Sequence, residues 1–300
     1  VVAPTGYLLN TQWKQTFSVT AEKKDHSFTY ADGTGCPDTV IAGKIQISKK
    51  IVNTIDELSA AEAGAKFSVT DSKGNVVDTI VTGDNGVGIS KDLPYGTYTV
   101  KQIAGQAGTT FCESWTVTVN EHGKVYEYAK ENPLWTASVS IHKKETGTDK
   151  PLIASFELCE RTADGTVKVL EVGITGADGN LVFSHKIVFT DGNCNKSTYF
   201  IREAEAPAGY VLDTREYPVS CTENNQIVSV TVDNSSILGR LVIRKISHKG
   251  IPMQDVKFEL EQSLDSGATW NSVGTLTTDA NGSIIYDPAN NVISPNGDSV

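Results

Sequence analysis

The chain has 300 residues, a length that suits two or three domains of about 100–150 residues each. Hydrophobic residues make up 39% and charged residues 21%, which is the balance of a globular protein and excludes a disordered tail. The net charge of −10, with lysine and arginine scattered, argues against nucleic-acid binding. No apolar run is long enough to span a bilayer, and the N-terminus lacks the pattern of a secretion signal. We therefore expect a processed chain or an excised piece.

The cysteines do not form a recognisable framework. Five are too few for a disulfide-dense scaffold, and their irregular spacing matches no zinc template. Because the number is odd, at least one is unpaired within the chain. One disulfide within the group Cys159, Cys194 and Cys221 and a set of free thiols both remain open. The sequence predicts no cofactor and no metal site. The cysteines are Cys36, Cys112, Cys159, Cys194 and Cys221.

The first 42 residues match a later part of the same chain. APTGYLLN (3–10) is similar to APAGYVLD (206–213), which lies near the end of a unit that occurs in full further on. Internal similarity of this kind indicates a repeat architecture. Residues 1–42 are therefore predicted to be the C-terminal half of a preceding domain.

Residues 43–136 contain the first complete copy of a unit that recurs about every 100 residues, a period that suits sandwich domains in series. Its strands alternate apolar and polar residues, and an Asn-Gly pair marks a tight turn. The segment TIDELSAAEAGA (54–65) is the exception, and its pattern predicts a short turn of helix. The other elements are GKIQISKK (43–50), AKFSVTD (65–71), TGDNG (82–86), YGTYTVKQ (95–102) and VYEYAKEN (125–132).

The second complete copy spans residues 137–237 and repeats these elements in the same order. It differs by the insertion DGNCNKS (191–197), which predicts a surface loop before the Tyr-rich strand, and by a Pro/Gly corner after it. The elements are ASVSIHKK (137–144), ASFELCE (154–160), TGADG (175–179), STYFIREAEAPAGY (197–210) and VSVTVDN (228–234).

Residues 238–300 carry only the front of another copy. GRLVIRKI (239–246), VKFELEQ (256–262) and TTDANG (277–282) are present, but the Tyr-rich strand and the closing Asn strand are lacking. This segment is predicted to be the N-terminal half of a further domain, so we expect the chain to be a window from a longer array. The predicted class is all-β, with tandem immunoglobulin-like or prealbumin-like β-sandwich domains.

A first strand ending on lysine, the YGTY element, the EAPAGY corner and a terminal Asp-Asn together resemble the collagen-adhesin B-type domains (SpaA-like, prealbumin-type) of Gram-positive pilins and adhesins. The resemblance covers essentially the whole chain, including the two halves. It implies a structural stalk or spacer of an extracellular protein, at the cell surface or attached to the cell wall. Domains of that family commonly form an intramolecular isopeptide bond between a lysine and an asparagine, assisted by a buried acid.

In the second complete domain the resemblance assigns the bond to Lys143 as nucleophile, Glu203 as proton shuttle and Asn234 as acceptor. Burial disfavours an ammonium and so supplies a free amine, while a protonated acid can polarise the amide and pass a proton to departing ammonia. If the strand register differs by one residue, Lys144 takes the place of Lys143. The plainer alternative is a solvated lysine, an ion-paired glutamate and a turn-capping asparagine.

The first complete domain departs from this pattern at one position. Gln102 occupies the place that Glu203 has in the second domain, and an amide cannot shuttle a proton. A bond between Lys49 and Asn132 therefore stays open beside an uncrosslinked domain with a buried polar trio.

In the partial units, Asp32 is the candidate acceptor of the leading half and Lys245 the candidate nucleophile of the trailing half. Their partners are absent from the chain, so we expect neither to be crosslinked within it.

Two other functions remain open, and both differ from the stalk in what they would bind. One is a host- or carbohydrate-binding adhesin module, which a cluster of exposed tryptophans on one face would favour. The other is a set of accessory domains of a secreted hydrolase, although no catalytic motif is present and at most a single-turnover bond formation is expected. If the chain is a stalk, we expect other domains of the parent protein to bind a host surface, a matrix protein or a glycan. The tryptophans are Trp13, Trp115, Trp135 and Trp270.

Overall fold

The computed structural model describes residues 2–27, 38–263 and 266–288. Within these ranges the elements are all β-strands, which confirms the predicted all-β class, and no helix there is long and apolar enough to cross a membrane. The chain divides into two compact units. They are Val1–Ala137 with Lys186–Ser197 and Ser220–Gln226, and Ser138–His185 with Thr198–Val219 and Ile227–Val300.

The first eleven strands form a short ribbon and then a two-sheet sandwich. They are β1 (Tyr7–Leu8), β2 (Thr39–Val40), β3 (Ala42–Asn53), β4 (Leu58–Ala61), β5 (Lys66–Thr70), β6 (Val76–Val81), β7 (Val87–Ile89), β8 (Leu93–Pro94), β9 (Gly96–Ala104), β10 (Trp115–Val119) and β11 (Val125–Pro133). β1 pairs with β2. Strands β3 to β11 make up what we call the first sandwich. Its sheets have the orders β10-β9-β5-β6 and β11-β3-β4, with β7 and β8 also paired to β3.

Strand β3 is the long strand of the first sandwich, and its alternating sequence explains its position. Every second residue from Gly43 to Asn53 is buried, and the residues between are half-buried or exposed. The apolar members of this face, including Ile45 and Ile47, pack into a core with Phe67 of the opposite sheet. The last strand, β11, runs parallel to β3 beside it. The first and last strands of the sandwich are therefore hydrogen-bonded neighbours.

The next eight strands, which we call the second sandwich, repeat this plan. They are β12 (Thr136–Glu145), β13 (Ser155–Arg161), β14 (Val167–Ile174), β15 (Asn180–Val182), β16 (Ile187–Val188), β17 (Thr198–Glu205), β18 (Tyr217–Val219) and β19 (Gln226–Asn234). One sheet has the order β14-β13-β17-β18, and in the other β12 pairs with β15, β16 and β19. Again the first strand, β12, and the last, β19, are neighbours.

The last described segment holds four strands in two antiparallel pairs. β20 (Leu241–Arg244) pairs with β23 (Ser283–Tyr286), and β21 (Lys257–Gln262) pairs with β22 (Asn271–Thr277). These strands follow the order seen at the start of both sandwiches. The division into two complete domains and two halves stays a prediction.

Two local predictions are wrong. The segment 54–65, predicted as a turn of helix, forms a turn followed by β4, because its backbone pairs with the C-terminal end of β3. The insertion at 191–197 is not simply a surface loop. Cys194 and Asn195 are buried, and Cys194 packs with Ile51 and Leu134 within the first compact unit.

The four cysteines in the described ranges are all free thiols, so the alternative of a disulfide among Cys159, Cys194 and Cys221 is not realised. Cys36 lies outside the described residues.

Candidate functional site

Lys143 lies inside the second sandwich and not at a solvated strand end. It follows Ala137, Val139 and Ile141 on the inward face of β12, and its side chain is completely buried. Lys144 points the other way and forms an ion pair with exposed Asp149. The register of β12 therefore gives the buried position to Lys143.

Glu203 and Asn234 meet Lys143 in the core. The Lys143 amine lies 3.2 Å from Glu203 Oε1 and donates a hydrogen bond to Asn234 Oδ1. Asn234 Nδ2 donates to both carboxylate oxygens of Glu203, at 2.8 and 3.1 Å. Each of the three side chains thus contacts the other two. β12, β17 and β19 supply one residue each.

A segment without regular secondary structure, which contains Asp213, holds the carboxylate of Glu203 in place. The backbone N–H of Asp213 donates to Glu203 Oε2 at 2.7 Å. Asp213 is fixed in turn by Arg215 and by the hydroxyl of Tyr217, which donates to Asp213 Oδ2 at 2.6 Å. The Arg215 guanidinium holds the pKa of Asp213 well below its ordinary value. This charged cluster orients the acid without contacting Lys143 or Asn234 itself.

The electrostatics of the site favour a free amine. Burial lowers the pKa of Lys143 from its ordinary value of 10.5, and the nearby Glu203 offsets part of that shift. A free amine beside a primary amide and a carboxyl group is a set that can exchange the amide nitrogen.

A glycine fixes the backbone of the lysine in each repeat. Lys143 N–H donates to the carbonyl of Gly179 at 2.7 Å, and Gly179 has φ of 75°. A Cβ at Gly179 would collide with the carbonyl oxygen of Lys143. Gly86 stands in the same relation to Lys49, and Gly282 to Lys245. The hairpin glycine is therefore needed both for its positive φ and for the approach of the lysine strand.

In the first sandwich, Lys49 and Asn132 are also buried, and Gln102 lies opposite Phe67 as Glu203 lies opposite Phe156. Gln102, however, makes its hydrogen bonds to Ala104 and Cys112 and not to the other two predicted residues.

The acid of the first sandwich was missed by sequence reasoning. Glu62, directly after β4, lies 2.9 Å from the amine of Lys49, and both side chains are completely buried. Asn132 Nδ2 donates to the same carboxylate oxygen at 3.1 Å. The sequence signal for Glu62 is weak, because this residue lies in the segment 54–65, whose pattern resembles a helix. In addition, no acid occupies the corresponding position of the second unit.

The remaining candidates form no further site in the described residues. Lys245 is half-buried just after β20, and Asp32 lies outside the described ranges. No group of three or more histidine, cysteine, aspartate or glutamate residues in those ranges could hold a metal ion. Of the four tryptophans only Trp270 is exposed, and Trp115 and Trp135 pack against other aromatic rings. The described surface thus shows no cluster of exposed tryptophans on one face, the feature that would favour a sugar-binding module.

The fold and site define a class of tandem β-sandwich domains in which a lysine on the first strand and an asparagine on the last meet a buried acid. A family model described as the SpaA prealbumin-like fold domain matches residues 43–133 and 137–236. These residues make up more than half of the chain, and the chain belongs to this family. Among curated proteins no match is found.

Three solved structures are similar to this chain at low sequence identity. The Bacillus anthracis TIE protein is 20% identical with a TM-score of 0.65, over 83% of this chain and 44% of that one. A streptococcal ancillary pilin is 19% identical with a TM-score of 0.30, over 74% and 69%. The shaft pilin SpaA of Lactobacillus rhamnosus GG is 13% identical with a TM-score of 0.29, over 65% and 98%. This chain spans less than half the length of the TIE protein.

Proposed function

We propose that this chain is a stalk or spacer segment of a Gram-positive cell-surface protein, and that its second sandwich is locked by an isopeptide bond between Lys143 and Asn234. The observation that carries the proposal is the fully buried contact among Lys143, Glu203 and Asn234. The membership of the SpaA prealbumin-like family supports the surface role. In the parent protein, a host surface, matrix protein or glycan would be bound by domains outside this segment.

The positions of the three side chains support this bond. The free amine of Lys143 attacks Cγ of Asn234, so that a new C–N bond forms and the bond from Cγ to Nδ2 breaks. A proton from the amine passes through Glu203, which contacts both Lys143 Nζ and Asn234 Nδ2, and the nitrogen leaves as ammonia. The atoms balance without an external reactant, and the rigid core supplies the proximity. The reaction occurs once per molecule.

The bond would change the path of a pulling force. Lys143 lies near the end of β12 and Asn234 at the end of β19, the first and last strands of the sandwich. Tension that enters along β12 would cross from Lys143 to Asn234 and leave the domain there. Residues 144–233 would then carry none of it, so the force could not unzip the hydrogen bonds among those residues. A stalk exposed to shear requires that property.

Mass spectrometry of the denatured full chain tests the bond. Each bond removes one ammonia, about 17 Da, and digestion should release a branched peptide that joins Lys143 to Asn234. In the variant Glu203→Gln, which keeps the shape but cannot shuttle a proton, we expect that branched peptide to disappear.

The matched control is Glu205→Gln, an exposed residue on the same strand, which should retain the branched peptide. A wild-type chain without it, or a Glu203→Gln chain that keeps it, would contradict the proposal.

A further inference from the structure

The first sandwich contains a carboxylate in contact with both a lysine and an asparagine, although Gln102 stands where the acid of the second sandwich lies. The carboxylate belongs to Glu62. Its Oε2 atom lies 2.9 Å from Lys49 Nζ and accepts a hydrogen bond from Asn132 Nδ2 at 3.1 Å. One oxygen therefore contacts both the attacking amine and the nitrogen that would leave.

The other contacts of this group hold it in place. Glu62 Oε1 accepts the backbone N–H of Gln106 at 2.8 Å, and the Lys49 amine also donates to the Lys50 carbonyl at 2.8 Å. Glu62 is the only buried carboxylate between residues 43 and 133. Burial lowers the pKa of Lys49, and Glu62 offsets part of the shift.

The acceptor has a feature that the second sandwich does not show in its described contacts. The backbone N–H of Cys112 donates to Asn132 Oδ1 at 2.9 Å. When an amine attacks the amide carbon, negative charge develops on this oxygen, and a fixed N–H donor stabilises it. Cys112 would thus stabilise the charge that develops on the amide oxygen, and Glu62 would carry the proton from the amine to the nitrogen that leaves.

Gln102 does not take part in these contacts. Its amide nitrogen donates to the Ala104 carbonyl at 3.3 Å, and its oxygen faces the backbone nitrogen and thiol of Cys112 at 3.4 and 3.3 Å. The side chain at the predicted acid position therefore forms hydrogen bonds with other residues and not with Lys49 or Asn132.

Backbone hydrogen bonds show which residue of the second sandwich corresponds to Glu62. The N–H of Glu62 donates to the carbonyl of Lys49 at 3.0 Å, and the N–H of Leu152 donates to the carbonyl of Lys143 at 3.0 Å. The pair of positions is thus Glu62 with Gln102 in one sandwich, and Leu152 with Glu203 in the other. Each sandwich places one acid beside its lysine and asparagine, from strand β17 in the second sandwich and from the segment after β4 in the first.

We infer that Glu62 is the catalytic acid of a second isopeptide bond, between Lys49 and Asn132, and that it replaces the acid absent at Gln102. This inference rests on the chemistry of the proposed function. The bond from Lys49 Nζ to Asn132 Cγ forms, the bond from Cγ to Nδ2 breaks, and Glu62 carries the proton from the amine to the departing ammonia.

Four full-length variants test the assignment by intact mass and by the branched peptides. The wild type should lack about 34 Da, with both branched peptides present. Glu62→Gln should lack about 17 Da and lose only the peptide that joins Lys49 to Asn132. Glu203→Gln should lose only the other peptide, and Gln102→Leu should keep both. The fourth variant, Glu62→Leu with Gln102→Glu, copies the second sandwich and should restore the Lys49–Asn132 peptide.

The two bonds give different peptides, so failure of one proposal is visible apart from failure of the other. Persistence of the Lys49–Asn132 peptide in Glu62→Gln, or its loss in Gln102→Leu, overturns the assignment, as does its absence from the wild type. If Glu62→Gln does not fold, the double variant decides. A folded double variant that contains the bond supports the exchange of acid positions, and a folded one without it overturns it.

Discussion

The substitution Lys143→Met removes the proposed bond while keeping an unbranched side chain of similar length in the core. Asn234 and Glu203 can keep their mutual hydrogen bonds, because the lysine is not needed for them. The variant therefore isolates the effect of the covalent link more cleanly than removal of the acid, which would leave a buried amine without its carboxylate.

The magnitude follows from loop closure. The two linked residues are 91 positions apart, and crosslinking a loop of that length reduces the entropy of the unfolded chain by an amount worth about 4–5 kcal/mol. A domain of about 100 residues has an unfolding entropy of roughly 0.2 kcal/mol/K near its midpoint, so the expected loss in Tm is about 20 °C. Only the transition of the second sandwich should move.

Differential scanning calorimetry of the full chain measures this shift, and Lys144→Met is the matched control. Lys144 lies on the outward face of the same strand, and its surface ion pair is worth at most about 1 kcal/mol. We expect the control to keep both the Tm and the branched peptide. A Lys143→Met variant that melts within a few degrees of the wild type would refute the reasoning.

Three other perturbations should have measurable effects. Gly179→Ala introduces a methyl group at positive φ against the carbonyl of Lys143, so stability should fall by at least about 1 kcal/mol in urea unfolding and the uncrosslinked mass should accumulate. Burial and the Asp213 carboxylate raise the pKa of Tyr217 to about 12. In Asp213→Asn, an ultraviolet titration should therefore show one tyrosine ionising nearer 10.0. An unchanged titration would contradict the contact between the two side chains. Asn234→Ala leaves Lys143 unlinked with a pKa below 10.5, so the folded state binds fewer protons than the unfolded state in that window. Its stability should therefore rise as the pH increases toward 10.5, and a flat profile relative to Lys143→Met would exclude a buried free amine.

The family resemblance predicts the lysines and asparagines, and the strand period explains why their side chains face the core. In β3 and β12 the apolar residues alternate, and Lys49 and Lys143 fall in phase with them, so each lysine must face the core if the strand does. The terminal asparagines follow from the same alternation in the closing strands.

Glu62 could not be predicted in this way, because its position is set by pairing between segments that lie apart in the chain. The local pattern of residues 54–65 resembles a helix, but the backbone of Leu58–Ala61 pairs with the end of β3, and this tertiary pairing overrides the local preference. The position of Glu62 in the second unit is held by Leu152, which differs in both charge and chemistry. Comparison of the two repeats identifies an acid only where both repeats have an acid at the same position, and this is not the case for Glu62.

The exchange of acids between the two sandwiches indicates what the site requires. In each sandwich a carboxylate contacts both the lysine amine and the asparagine side-chain nitrogen, and it reaches them from β17, as Glu203 does, or from the segment after β4, as Glu62 does. The position without an acid holds Leu152 in the second sandwich and Gln102 in the first. Both side chains are buried and need no charge partner. Two acids at once would place like charges within one dry core, which is costly. We therefore expect Leu152→Glu, which would add a second acid beside Glu203, to lower the stability of the second sandwich by at least about 2 kcal/mol in urea unfolding at neutral pH, whereas Leu152→Gln should cost less.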